Sequence, residues 1–274
     1  MKPRTFITLG YYIIRSKQRT LSENKYQDTE EDKRRLFEDL FLQNETTYTS
    51  NKSEFVLADV EHHNNYYYGK FAKRLKQILS KKEGCHIHDT SLTGYPYSYF
   101  VCDTDKNIFC IERSSKIYKT PENIIKILSD MVTEKIKNEG YVCIFQAVTQ
   151  KRAFWHTIKD AKKIYYLRLT LNSPNFLRSN EKARDFAKSL QDKFNNTTTD
   201  VVLRNDEGNL KIEENETTND YIEYAEEAGG KWAVKFDGTQ VKSSDKIFSF
   251  QRTVTNIKDA AEDIISQANS FLHR

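Results

Sequence analysis

Four prolines and nine glycines in 274 residues are too few for a flexible linker, a collagen-like repeat or a glycine-rich phosphate loop. Cysteine is as sparse. Cys85, Cys102, Cys110 and Cys143 contain no C-x-x-C pair, so no disulfide framework is encoded, and reduced thiols in the cytosol are expected. No apolar run approaches ~18 residues, which removes the expectation of a membrane span. Residues 1–15 have too short an apolar stretch and no small-residue cleavage site, so they read as a strand rather than a signal peptide. A G-x-S-x-G elbow and an H-E-x-x-H helix are both missing. No internal repeat is visible.

What is present describes a soluble globular protein: 38% hydrophobic and 30% charged residues, enough of each for a core and a solvated surface. The charge is uneven. Residues 151–195 carry 11 Lys and Arg against 4 Asp and Glu, whereas residues 200–274 carry 9 against 15. Such asymmetry marks either a polyanion-binding face or two surfaces that attract one another, within a subunit or between subunits.

The best-patterned stretch is 161–203. Tyr165, Leu167, Leu169 and Leu171 alternate with Ile164, Tyr166, Arg168 and Thr170, the period of a half-buried strand. Residues 172–175 (NSPN) are turn chemistry, because Pro174 fixes its own φ and restricts Ser173. Ala183, Phe186, Ala187, Leu190 and Phe194 then form one stripe of an amphipathic helix, with Lys182, Arg184, Lys188 and Lys193 opposite. A strand follows.

Elsewhere, residues 5–15 predict a central or near-central strand, 30–42 a short helix and 54–62 a strand. From Lys70, the spacing of Phe71, Leu75, Ile78 and Leu79 predicts a helix whose other side shows Lys70, Lys73, Arg74 and Lys76. Beside Tyr66–Tyr68, that face is expected either to hold a phosphate backbone and stack bases or to be a solvated helix beside core aromatics. Residues 98–102 and 108–112 predict a hairpin. Asp103, Asp105 and Asn107 match the start of a calcium loop, but Ile108 and Ser114 stand where Gly and Glu are needed, so they read as turn residues. Thr120-Pro121-Glu122 is a helix start before an Ile-rich face, and 141–148 is a buried strand. Expected further on are a basic connector at 149–163, a short strand at 210–212, a helix at 220–228 and paired strands at 231–236 and 247–254. An amphipathic helix from Ile257 closes the series.

Candidate chemistry is thin. Cys85-His86-Ile87-His88-Asp89 is the densest run of metal-ligand types, yet it has no second short-spaced motif, so it reads as a loop entering a strand, with no metal expected. Asp59 with Glu61, and Asp160 with Lys162, have spacings that a metal-dependent nuclease shares with chance. His156 beside Trp155 reads as a packed histidine. No catalytic residue and no cofactor are assigned.

Two stretches carry a resemblance: YPYSYFVCDTDKNIFCIE with the capped helix after it, and IYYLRLTLNSPNF with its helix. They resemble a family of functionally unassigned bacterial proteins, similar in general layout to phage-defence proteins of the RexA and Kiwa KwaB kind. The resemblance implies a cytoplasmic, DNA-associated, homodimeric protein acting against phage, with no defined active site.

The expectations are therefore an α+β fold of largely antiparallel sheets with packed amphipathic helices, in two soft subdomains (1–160 and 161–274). The expected function is non-enzymatic binding of DNA, with little sequence preference, in bacterial antiviral defence. Its nucleic-acid contacts are expected at Lys70, Lys73, Arg74, Lys76, Arg178, Lys182, Arg184 and Lys188. The alternatives are a protein-interaction subunit of a larger defence or toxin complex, or a metal-dependent nuclease. No membrane partner is expected.

Overall fold

The computed structural model describes residues 3–15, 29–42, 46–50, 53–64, 66–150, 152–172, 181–194 and 196–272. In chain order its elements are β1 (Arg4–Arg15), α1 (Glu30–Leu42), β2 (Thr46–Ser50), β3 (Ser53–His63), β4 (Tyr66–Lys73), β5 (Leu75–Glu83), β6 (His86–Gly94), β7 (Tyr97–Asp103) and β8 (Ile108–Glu112). There follow α2 (Pro121–Ile136), β9 (Tyr141–Ala147), α3 (Ala153–Ile158), β10 (Ile164–Asn172), α4 (Glu181–Phe194), β11 (Thr198–Arg204) and α5 (Glu216–Glu226). The chain then forms β12 (Gly230–Phe236), β13 (Thr239–Lys242), β14 (Ser249–Arg252) and α6 (Ile257–Leu272). The fold is α+β, and its strand ladders are antiparallel.

The first sheet has eight strands in the order β14-β1-β8-β7-β4-β3-β2, with β9 paired to the second half of β1. Both faces of β1 are covered, which is why the strand is buried at successive positions. Ile7, Leu9, Tyr11 and Ile13 face α1 and α2, in a core shared with Phe37, Phe100, Phe109, Leu128 and Phe145. Phe6 faces the other way, towards α6, with Val101, Ile108, Phe250, Ile264 and Ile265. Thr120 caps α2 as its sequence requires, its Oγ1 accepting the Asn123 N–H at 3.3 Å with Pro121 in the first turn. Thr120→Ala is expected to lower unfolding free energy by about 1 kcal/mol, measurable by urea titration.

The second sheet runs β11-β10-β12-β13. Leu167, Leu169 and Leu171 pack on Phe154, Trp232, Ile222 and Tyr224 beneath α3, α4 and α5. The alternate residues, Tyr166, Arg168 and Thr170, face away from that core. The two sheets meet where the corner between α5 and β12 lies on β1: a side chain at Gly10 would bring its Cβ to 2.5 Å from the Cβ of Ala228. The expected boundary near residue 160 falls between α3 and β10. Beyond it, β14 pairs with Arg4–Ile7 of β1, and α6 covers the first sheet.

Three sequence expectations are corrected. The helix expected from Lys70 is instead the end of β4 followed by the strand β5. β4 lies between β3 and β7, so its backbone groups are committed to two ladders, and β5 turns back into β6. The two-residue turn between them places Gly84 at φ 62°, as a tight hairpin requires. Residues 210–212 form no strand. β11 and β12 occupy both edges of β10, and only an isolated bridge from Asn209 to Ile164 remains. Third, residues 247–254 do not pair with 231–236. Asp237-Gly238, with φ of 45° and 82°, folds β12 onto β13, and β14 joins β1 instead.

Among the described residues, no helix is long and apolar enough to cross a membrane.

Candidate nucleic-acid interface

β5 and β6 form a separate two-stranded ribbon. Its strands pair from Leu75↔Gly94 to Glu83↔His86, nine residues each, a length of about 30 Å at the rise of an extended strand. β6 is exposed at every position. Cross-strand neighbours share a face, so Lys76, Ile78, Ser80 and Lys82 lie with Thr93, Ser91, Asp89 and Ile87. Ser80 donates to Asp89 at 2.6 Å, and Ile78 and Ile87 stand about 70% exposed (69% and 73%). Residues 73–94 hold five Lys and Arg against two acids. A two-stranded hairpin is marginal in isolation, and the described side chains of this one contribute to no core.

At the root of the ribbon, Lys70 reaches Asp59 at 2.5 Å and lies 4.9 Å from the Tyr97 ring. The hydrogen bond to Asp59 raises the Lys70 pKa, keeping the amine charged. Lys73 sits over Phe55 at 5.6 Å, and Arg74 pairs with Glu54 at 3.3 Å. Lys76 is exposed on β5. The structure therefore brings Lys70, Lys73, Arg74 and Lys76 together on strands, not on a helix face. The aromatic partners differ from those expected. Tyr67 and Tyr68 are buried in β4, while Tyr95 and Tyr97 are exposed beside the basic groups.

The second expected group is separate and largely neutralised. Lys182 pairs with Glu216 at 2.6 Å and Arg184 with Asp185 at 3.4 Å. Lys188 is exposed on α4. Arg178 and the turn at 173–175 lie outside the described residues. More broadly, the basic block meets the acidic third of the chain: Arg152 pairs with Glu214, Arg168 with Asp200 at 2.5 Å, and the Ala183 N–H donates to Asp220. The hydrogen bonds from Arg168, and one from the Thr170 hydroxyl, hold the Asp200 carboxyl below its usual range.

Sequence reasoning missed a second basic feature. A cleft of about 430 Å3 lies between α2, β9 and the outer face of the second sheet, lined by Lys126, Arg168, Lys231 and Lys242 with Glu122. These residues come from four elements with no shared linear spacing, so no motif announces them.

The remaining candidates stay apart. Asp59 and Glu61 are on β3, with Glu61 accepting from Tyr68, whereas Asp160 precedes β10. His86 and His88 project from one face of β6, 6.2 Å apart, and Cys85 is exposed at the tip. The other three cysteines are buried in the first sheet, where loss of solvation pushes the Cys110 thiol up to about 12. Among the described residues, no three His, Cys, Asp or Glu side chains are grouped to hold a metal ion. Glu226 is the unusual carboxylate. It is buried, it accepts the N–H groups of Arg152 and Phe154 at 3.0 and 2.8 Å, and desolvation raises its pKa from 4.5 to about 7.

Against known proteins, residues 20–256 match the family described as domain of unknown function DUF4747. No curated protein matches.

Proposed function

Since this chain belongs to the DUF4747 family, whose description assigns no activity, we propose from its surface that it is a non-enzymatic DNA-binding protein that contacts DNA through the β5–β6 ribbon. The observation that carries this reading is a basic ribbon, about 30 Å long, with β6 exposed at every position, rooted beside exposed tyrosines. The major groove of B-DNA admits a two-stranded ribbon. In this reading Lys76 and Lys82 on the ribbon, with Lys73 and Arg74 at its root, neutralise phosphates, and Tyr95 and Tyr97 offer rings for an unpaired base. Lysine contacts to phosphates carry no sequence information, which favours little sequence preference. A cytoplasmic role in bacterial antiviral defence is part of the proposal and rests on the resemblance described above.

The test is fluorescence anisotropy with double- and single-stranded oligonucleotides across a salt series. Four neutralised phosphates give a slope of log K on log salt of about −3.6 for duplex. Lys76→Ala with Lys82→Ala is expected to reduce the slope by about 2 and to weaken binding about tenfold or more. Absence of binding by the wild type at low salt sinks the reading.

A second reading is favoured by Ile78, Ile87 and Leu92, which are 69%, 73% and 50% exposed on the ribbon. In it, the chain is a protein-interaction subunit of a defence or toxin complex, or a homodimer, whose partner covers those side chains. Light scattering after size exclusion separates the two. A wild-type dimer that becomes monomeric in Ile78→Asp with Ile87→Asp, without affinity for DNA, supports the second.

A further inference from the structure

Several cations of this fold sit against carboxylates: Lys70 on Asp59, Arg74 on Glu54, Lys182 on Glu216. The cleft between α2 and the second sheet instead gathers lysines from separate elements. Lys126 on α2, Lys231 on β12 and Lys242 at the end of β13 all line it, and none makes an ion pair with a carboxylate of the described residues. Arg168 adds a fourth cation, held in place by Asp200 through its Nε at 3.2 Å and Nη2 at 2.5 Å. The carboxylate in the wall, Glu122, is already engaged, its Oε1 accepting the Ser244 hydroxyl at 2.5 Å.

Three lysines and the Arg168–Asp200 pair against the single charge of Glu122 leave the cavity net positive, and a concave low-dielectric wall concentrates that field. Lysines arriving from separate elements bind phosphate as point charges, without the planar geometry a carboxylate clamp needs. The volume, about 430 Å3, lies within the range of small-ligand sites and is far too small for a duplex. We propose that this cleft binds a small polyphosphate-bearing anion, either a nucleoside triphosphate or a free oligophosphate. The proposal is independent of the ribbon, which lies on other strands.

Isothermal titration of the full chain with ATP and with tripolyphosphate, at low salt, tests it. The variants are the triple Lys126→Ala, Lys231→Ala, Lys242→Ala, the charge-preserving Lys231→Arg, and the ribbon pair Lys76→Ala, Lys82→Ala. The wild type, Lys231→Arg and the ribbon pair are expected to bind. The triple variant is expected to bind at least about thirtyfold more weakly, from a few-fold per lost charge-assisted contact. ATP binding tenfold tighter than tripolyphosphate identifies a nucleoside ligand, and equal affinity identifies the phosphate chain. The proposal is overturned if the wild type binds neither anion. It also fails if the triple variant binds like the wild type while keeping its circular-dichroism melting profile, or if the ribbon pair loses as much affinity as the triple.

Discussion

Gly230→Ala is expected to destabilise the protein by about 3 kcal/mol or more, among the largest effects available to a single methyl group. A Cβ at this position falls 1.9 Å from the carbonyl oxygen of Thr170 and 3.0 Å from its carbon. Both belong to the backbone of β10. That strand cannot withdraw, because β11 holds its other edge, pairing Thr170 with Asp200. The new methyl group must therefore open the ladder between β10 and β12, and Trp232, two residues on, loses its packing on Phe154. Guanidinium denaturation measures the loss, with near-ultraviolet circular dichroism reporting the indole. Gly238→Ala is the control. It has open space around it but φ of 82°, so it is expected to cost only about 1 kcal/mol. Equal costs for the two variants would show that the close approach at Gly230 does not limit stability.

The second large effect is on pH dependence. Burial raises the pKa of Glu226 from 4.5 to about 7, outweighing the two N–H groups it accepts. The folded state thus binds this proton more tightly than the unfolded chain does. The resulting stabilisation is complete below about pH 4.5 and is lost as pH rises through about 7. A shift of this size corresponds to about 3 kcal/mol as an upper bound. Asp200 acts with the opposite sign. Its carboxyl is held low by Arg168 and Thr170, and its contribution is lost as pH falls into the carboxylate range. The Glu226 part is isolated by difference: unfolding free energies of the wild type and Glu226→Gln, measured from pH 4.5 to 7.5, should diverge by about 2–3 kcal/mol. Parallel curves would place the ordinary carboxylate pKa on Glu226.

Much of the scaffold is legible in the sequence because its signals are local. Asp103 accepts the N–H groups of Asp105 and Lys106 at 3.1 Å, the turn chemistry that Asp and Asn at those positions announce. Thr120 caps α2, and the alternation at 164–171 separates a core face from an outer face. The ribbon was misread for a physical reason. A strand shows its period only when one face is buried and the other wet, and β6 is wet throughout. Phe71, Leu75 and Ile78 then fit a helix by coincidence. The partner of β14 was equally hidden, since pairing with β1 depends on residues almost the whole chain away. Charge was legible as composition only. The basic block and the acidic third were visible, but not that Lys182 and Glu216 would pair, nor that Lys126, Lys231 and Lys242 would line one cavity.

The return of β14 and α6 to the first sheet also fixes an order of events during synthesis. β1 is made well before its last partners: its Arg4–Ile7 edge has no β14, and Phe6 no α6 beneath it, until residues 249–272 follow. In the interval the nascent chain carries an unpaired edge and an uncovered apolar face, the two features that invite wrong pairings. Contacts this distant in sequence also close slowly. Completion of the first sheet accordingly waits on residues 249–272.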